Sequence, residues 1–394
     1  MLRKWSLVTL GFAAWLSAPV VMADALLVSV NLGGSGSSSL LGGVEDNQAL
    51  ASYLTNAVGS PVRVVSSQDQ TTELQRVRTG YYAVLLAPSH VIGSALRYGY
   101  EPVARVPENN KTDFIAKASS GIKSFEQAKG KRLGLPSQDS LDTYLAKGEM
   151  NAKGVHPKSY FSKVSYSHYQ DSALFSLDID QSDLVAVDDR VAKKWLAQHP
   201  GTIIMSSQEV PGVSVAVNGK LSATEKEKIR SALLQLNPTM PAGGFLSQLH
   251  ATSLQPASKA DFQYVSTLGY FTPNILPGAT VVSADQAKGQ MDKGVKLFDT
   301  RVDFEYKEGH IKGAISLPYK ENSSKEVDYD ATLDAFDVSK LPPAKSTPLI
   351  FACNGPECWK SYKSAAQAVK VGYSKVYWFR GGFPEWKSRG YPIE

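Results

Sequence analysis

The sequence predicts an α/β protein divided into a large unit and a small one. Three observations carry this reading. Apolar, β-branched runs alternate with stretches of helical spacing through the large unit, the pattern of a mostly parallel sheet covered on both faces. The segment TPNILPG at 272–278 breaks every periodicity and reads as a linker. A fresh β-α series then runs from 280 to 394, long enough for one small α/β domain. Composition agrees: 394 residues with 43% hydrophobic and 20% charged side chains exclude wholesale disorder, and 31 Gly and 21 Pro exclude a collagen-like chain. The formal charge of +5 is spread thinly, without a basic block, and makes no case for nucleic acid as a partner.

The chain opens with Arg3 and Lys4, an apolar stretch over 7–21, and the small-residue exit Val21-Met22-Ala23. Residues 1–23 therefore read as a cleavable secretory signal peptide. A membrane anchor is the alternative, but the stretch is short for a span and no later run is long enough. The expected location is the periplasm, an oxidising compartment for the two cysteines. The large unit is expected over 24–271 and the linker over 272–279. In the large unit, residues 25–30 (ALLVSV), 61–65, 82–86, 132–135 and 183–187 (DLVAV) read as strands. Residues 45–58, 71–79, 222–236 and the stretches after 140 and 189 read as helices.

Ser137 to Ser140 lie between a strand and a helix. Backbone N–H groups at that helix start, with the two serine hydroxyls, make a ready anion site. Ser137 and Asp139 equally suit a helix cap, and Asp188 the N-cap of the next helix, so both readings are open. The runs LLAPSH at 85–90, KGKRLGLP at 129–136 and DLVAVD at 183–188 resemble the phosphonate-binding family of periplasmic proteins. The resemblance implies two α/β lobes with a ligand held in the cleft between them. It also implies that the loop at Ser137 and Ser140 grips an oxyanion, with His168 beside it. Asp188 would close the cleft or hold a ligand ammonium, and Tyr82 would wall the site. A carboxylate at Asp139 is unfavourable beside a phosphonate unless it points away. The six histidines lack metal-type spacing, and no GxGxxG or Walker pattern occurs. No metal or cofactor is expected.

In the small unit, FDTR at 298–301, Glu305 and GHIKGAISLP at 309–318 resemble the first signature of the rhodanese family, and WFRGGFPEW at 378–386 the second. Between them stands LIFACNGPECW at 349–359. Its apolar strand and following helix place Cys353 on a tight loop between a strand end and a helix start. Loop N–H groups and the helix N-terminus favour the thiolate there. The resemblance implies that Cys353 takes a sulfane sulfur as a persulfide and passes it to a thiol or cyanide. Asn354, Gly355, Glu357, Trp359 and Lys360 complete that loop. Trp359 occupies the arginine position of a Cys-x5-Arg phosphatase loop, which argues against phosphatase chemistry. Glu357 disfavours thiosulfate as donor unless Lys360 offsets it. Asp299 and Arg301 are candidates for an ion pair fixing the first loop, and His310 for a loop stabiliser.

Cys353 and Cys358 are the only cysteines. Cys358 is a candidate resolving thiol; a permanent bridge and two independent thiols stay open. The expected function is a periplasmic sulfurtransferase carrying a domain for a small oxyanion or phosphonate-like solute. It would work with a sulfur donor and a thiol acceptor. The alternative is the binding protein of an ABC-type importer, partnered by its permease or a periplasmic redox protein, with a regulatory or redox-only small domain.

Overall fold

The computed structural model describes residues 25–33, 40–67 and 69–394. The expected signal peptide lies outside them. The chain folds around three sheets. The first runs in the order Gln255–Pro256, Tyr100–Arg105, Ser214–Asn218, Val84–Ala87, Leu26–Val30 and Val62–Ser66. The second runs Gly201–Ser206, Thr112–Lys117, Leu184–Asp188, Arg132–Leu135 and Lys163–Tyr166. Each sheet is the centre of one lobe, and the chain crosses between lobes twice. A two-stranded pair, Asn109–Asn110 with Val210–Pro211, marks the crossings.

These crossings correct the expectation of a mostly parallel sheet. Ser214–Asn218 runs antiparallel to Val84–Ala87, and Thr112–Lys117 antiparallel to Leu184–Asp188. A strand that arrives from the other lobe enters its sheet from the opposite end, so it must pair antiparallel. Within each lobe the strands joined by helical crossovers stay parallel, as in Leu26–Val30 with Val62–Ser66 and Arg132–Leu135 with Lys163–Tyr166. The same crossings brought in strands that sequence patterning passed over, because EPVAR and TDFIAK mix charge and proline with their apolar residues.

The third sheet has the order Ala279–Val281, Val376–Phe379, Leu349–Ala352, Lys296–Asp299 and Ile315–Ser316. All its pairings are parallel. One face packs Leu297, Ile350, Phe379 and Trp386. The other packs Phe298, Phe351 and Trp378 into an apolar cluster that continues through Trp359 and Tyr270 to Tyr144, Val91 and Leu74 of the large unit. The two units therefore share one core rather than hanging from a free linker. Tyr270 sits at this seam: its ring meets Tyr144 edge-on at 5.0 Å, and its hydroxyl donates to the Gln138 carbonyl at 2.6 Å. We expect Tyr270→Ala to destabilise the chain by about 3–5 kcal/mol, the range for deleting a buried aromatic side chain, as read from urea unfolding.

Candidate functional site

The lobes enclose a polar cleft of two adjoining cavities. The smaller, of about 60 Å³, is lined by Ser137, Ser140 and His168. The larger, of about 340 Å³, is lined by Asp188, Asp142, Asn110 and Arg190. Gly33, Gln70 and Gln170 belong to both. Four of the five cleft residues expected from sequence thus come together. Ser140 caps the helix Leu141–Ala152, its Oγ accepting from the Thr143 N–H at 3.2 Å. Asp188 caps the helix Asp189–Leu196 and is held by Arg190, with Nη2 to Oδ2 at 2.8 Å. Its charge is already matched, which weakens its case as a ligand-ammonium partner.

Tyr82 is the correction. It lines neither cavity; its buried hydroxyl donates to Glu73 at 3.2 Å and accepts from Arg76 at 3.1 Å. It stands just ahead of the strand Val84–Ala87, and its ring points into the apolar cluster with Leu74 and Val77. Asp139 does point away from the cleft. It is 3% exposed, accepts from Thr71 Oγ1 at 2.6 Å, and forms an ion pair with Lys325 of the small unit. Burial would raise its pKa, but Lys325 and the hydrogen bonds hold it below the usual carboxylate value. The loop at 137–140 therefore presents its serines to the cleft and its carboxylate to the other unit.

Sequence reasoning missed Asp142 and Gln70. Asp142 is buried in the cavity wall and accepts from Thr112 Oγ1 at 3.0 Å. Burial, reinforced by the nearby Asp188 carboxylate, pushes it up to about 7. Gln70 Oε1, in the cleft wall, is buried without a hydrogen-bond partner among the described residues. Neither signal is legible from spacing alone.

The second site is the loop between the strand Leu349–Ala352 and the helix Trp359–Lys370. Cys353 and Cys358 are joined by a disulfide, with Cα atoms 6.1 Å apart. They are 1% and 4% exposed. In this state Cys353 carries no free thiol. Gly382, at φ +56, lets the second signature close on the loop: a Cβ there would stand 2.0 Å from the Cys353 carbonyl oxygen. The Phe383 N–H donates to that same oxygen at 2.8 Å.

The other loop residues are committed to neighbours. Asn354 donates to Glu305 at 2.6 Å, and Gly355 takes φ +90 against the Tyr98 hydroxyl. Glu357, 2% exposed, accepts from Ser94 Oγ at 2.8 Å, is ion-paired with Arg97, and lies 3.6 Å from Arg78 Nε. All three partners belong to the large unit. The expected offset by Lys360 is thus replaced by two arginines from another domain. Lys360 is itself buried, which pushes its pKa down against the opposing pull of the Glu305 and Glu321 carboxylates. Trp359 donates through Nε1 to the Tyr270 carbonyl, and Pro356 accepts from Thr272 N at 2.9 Å and Oγ1 at 2.7 Å. Asp299 and Arg301 form the buried ion pair anticipated, and His310 stacks on Tyr306 at 3.7 Å as a loop stabiliser.

Two lobes around a polar cleft, followed by a parallel sheet with a cysteine loop at its strand ends, define a solute-binding fold joined to a rhodanese-type unit. The chain belongs to the family of periplasmic substrate-binding proteins of phosphonate ABC transporters, whose profile matches residues 43–262, and it carries a rhodanese-like domain matched over 283–389. Among solved structures, PhnD1 from Prochlorococcus marinus in complex with methylphosphonate is 14% identical at a TM-score of 0.51, covering 62% of this chain and 96% of that one. A Xanthomonas citri protein bound to chloride ion is 16% identical at a TM-score of 0.53, covering 62% and 97%. These likenesses show the fold. Thiosulfate sulfurtransferase 18 of Arabidopsis thaliana is 30% identical over 118 residues, which are 29% of this chain and 83% of that protein. Protein HIGH ARSENIC CONTENT 1, mitochondrial, also from Arabidopsis thaliana, is 25% identical over 121 residues, 30% and 68% of the two chains. Among the described residues no helix is long and apolar enough to cross a membrane.

Asp142 gives the cleft a pH signature. Its folded value near 7 lies above the ordinary value of about 3.9, so the stability it contributes is complete below the ordinary value and is lost as pH rises to about 7. We expect the wild type to lose on the order of 4 kcal/mol relative to Asp142→Asn between about pH 4 and pH 8. Paired urea melts across that window check this; parallel curves would remove Asp142 as a titrating cleft group.

Proposed function

We propose that the mature chain is a periplasmic protein that binds a small oxyanion of the phosphonate class in its cleft and transfers sulfane sulfur through Cys353. The domain boundaries that go with this reading are a signal peptide at 1–23, a binding unit at 24–271, a linker at 272–279 and a rhodanese unit at 280–394. The observation that carries the sulfur chemistry is the position of Cys353. It ends a buried strand and precedes a helix N-terminus, with a second cysteine within bonding reach.

The chemistry needs the reduced pair. The Cys353 thiolate attacks the outer sulfur of thiosulfate, the sulfur–sulfur bond of the donor breaks, and sulfite leaves, with a persulfide on Cys353. Cyanide then takes that sulfur as thiocyanate and returns the thiolate. Alternatively, the Cys358 thiolate attacks Cys353 Sγ, expels hydrosulfide and forms the observed bridge. Two electrons from an external dithiol reset the pair. On the binding side, the anion sits at the helix start behind Ser137 and Ser140 beside His168, and an ABC permease is the partner that the family supplies. The bridge itself favours a second reading, a binding protein for an importer whose small domain is a redox element without sulfur transfer.

Two expectations follow. After reduction, Cys353→Ser abolishes thiocyanate formation from thiosulfate and cyanide while calorimetric ligand binding is unchanged; a wild-type rate in the variant ends the catalytic assignment. Calorimetry with methylphosphonate, phosphate, sulfate and thiosulfate should give heat with at least one, reduced about ten-fold in affinity by Ser137→Ala, the loss of one charge-assisted hydrogen bond. Silence with all four removes the anion cleft.

A further inference from the structure

The disulfide loop is covered by the rest of its own chain. Tyr98, Ser94 and Arg97 of the large unit lie over Gly355 and Glu357, while Tyr270 at the end of that unit holds Trp359 and Thr272 of the linker holds Pro356. Arg380 fastens the linker, donating to the Thr272 carbonyl at 2.7 Å. The contacts of Ser94, Arg97 and Tyr98 are all with the first lobe, on and just after the helix Ser89–Leu96.

The small unit is also tied to the second lobe. Lys325 pairs with Asp139, Glu326 with Lys158 at 3.1 Å and Lys147 at 3.5 Å, and Asp328 with Lys158 at 3.1 Å. The chain passes between the lobes at the crossings Asn109–Asn110 and Val210–Pro211, and the lobes also touch where Thr71 and His90 bond Asp139. One rigid sheet domain is therefore fastened to two bodies that meet at a hinge. If the lobes turn about that hinge, both sets of contacts cannot be kept.

We propose that the binding unit is a gate on the sulfur loop, closed while the small unit spans both lobes and opened when the contacts to either lobe are released. The gate acts on a defined step. An external thiolate attacks one bridge sulfur along the S–S axis, the S–S bond breaks, and the other cysteine leaves as thiolate. The second thiol of the same dithiol then displaces the first cysteine and closes its own disulfide, so two electrons pass to the pair. With Cys353 and Cys358 only 1% and 4% exposed, a thiolate has no open approach to the bridge until the units part. The second-lobe contacts do not touch the cysteines, so any influence of theirs on the sulfurs must pass through docking. The gate concerns the disulfide itself; its use in sulfur transfer rests on the function proposed above.

The test is the rate at which dithiothreitol reduces the oxidised full chain, read by alkylation and intact mass. Arg97→Gln releases the first lobe and Lys325→Gln the second. Phe114→Leu, in the core of the second lobe and away from the seam, supplies loss of stability without release. The expected result is a reduction rate raised about ten-fold or more by each release variant, the scale of one lost charge-assisted contact, and unchanged by Phe114→Leu. Ser94→Ala replaces Arg97→Gln should the latter not fold. A wild-type rate in Lys325→Gln overturns the gate, and so does a Phe114→Leu rate equal to that of Lys325→Gln. Release rates as expected together with thiocyanate formation by Cys353→Ser would leave the gate standing and remove only the sulfur chemistry.

Discussion

A single carboxylate holds the two halves of this protein in register. Glu357 is taken out of water inside a loop that carries the only two cysteines, and its compensation comes wholly from the other unit: the Ser94 hydroxyl and the guanidinium groups of Arg97 and Arg78. A buried carboxylate left without partners is strongly destabilising, typically by about 3–5 kcal/mol. The loop therefore has little reason to adopt this shape away from the large unit, and the large unit alone would leave Arg78 without this countercharge. Opposite charges on the two sides are each unfavourable alone and tolerable together. That mutual need is a more exacting link than the apolar seam around Tyr270 and Trp359, which accepts any well-fitting surface.

The same helix that receives Glu357 also supports the cleft. Ser94 holds Glu357 of the disulfide loop, and four residues earlier His90 donates through Nε2 to the Asp139 carbonyl at 2.8 Å. Burial pushes His90 down to about 4, which keeps the ring neutral at ordinary pH and avoids a further charge between Asp139 and Glu357. The serine loop at 137–140 and the disulfide loop thus lean on successive turns of one short helix.

Much of this architecture was legible before the structure. Strands such as ALLVSV and DLVAV are short, apolar and β-branched, and burial in the middle of a sheet is what such runs encode; the antiparallel neighbour of Leu184–Asp188 is not. The cysteine loop was legible for the same local reason, a buried strand running into a helix. Asp139 is compatible with a bound phosphonate only when it points away, and nothing in its own segment names Lys325, the partner 186 residues further along the chain that lets it do so. The antiparallel crossing strands, the misplaced role of Tyr82 and the arginine partners of Glu357 share that cause. Each depends on which distant segments meet, and local periodicity carries no record of it.

The segment between Tyr319 and Leu341 has little regular structure, yet it supplies Lys325, Glu326 and Asp328. It is organised from within by Lys363, a fully buried ammonium of the helix Trp359–Lys370, which reaches Ser323 Oγ and Glu321, each at 2.8 Å, and lies 3.7 Å from Asp334. Asp334 in turn accepts from Tyr319 and from the Asn322 and Ser323 backbone N–H groups. The segment is in effect an address label folded around one buried cation. A foreign rhodanese sheet grafted onto this linker would bring a cysteine loop without that label, and would be attached by the chain without being recognised by the second lobe.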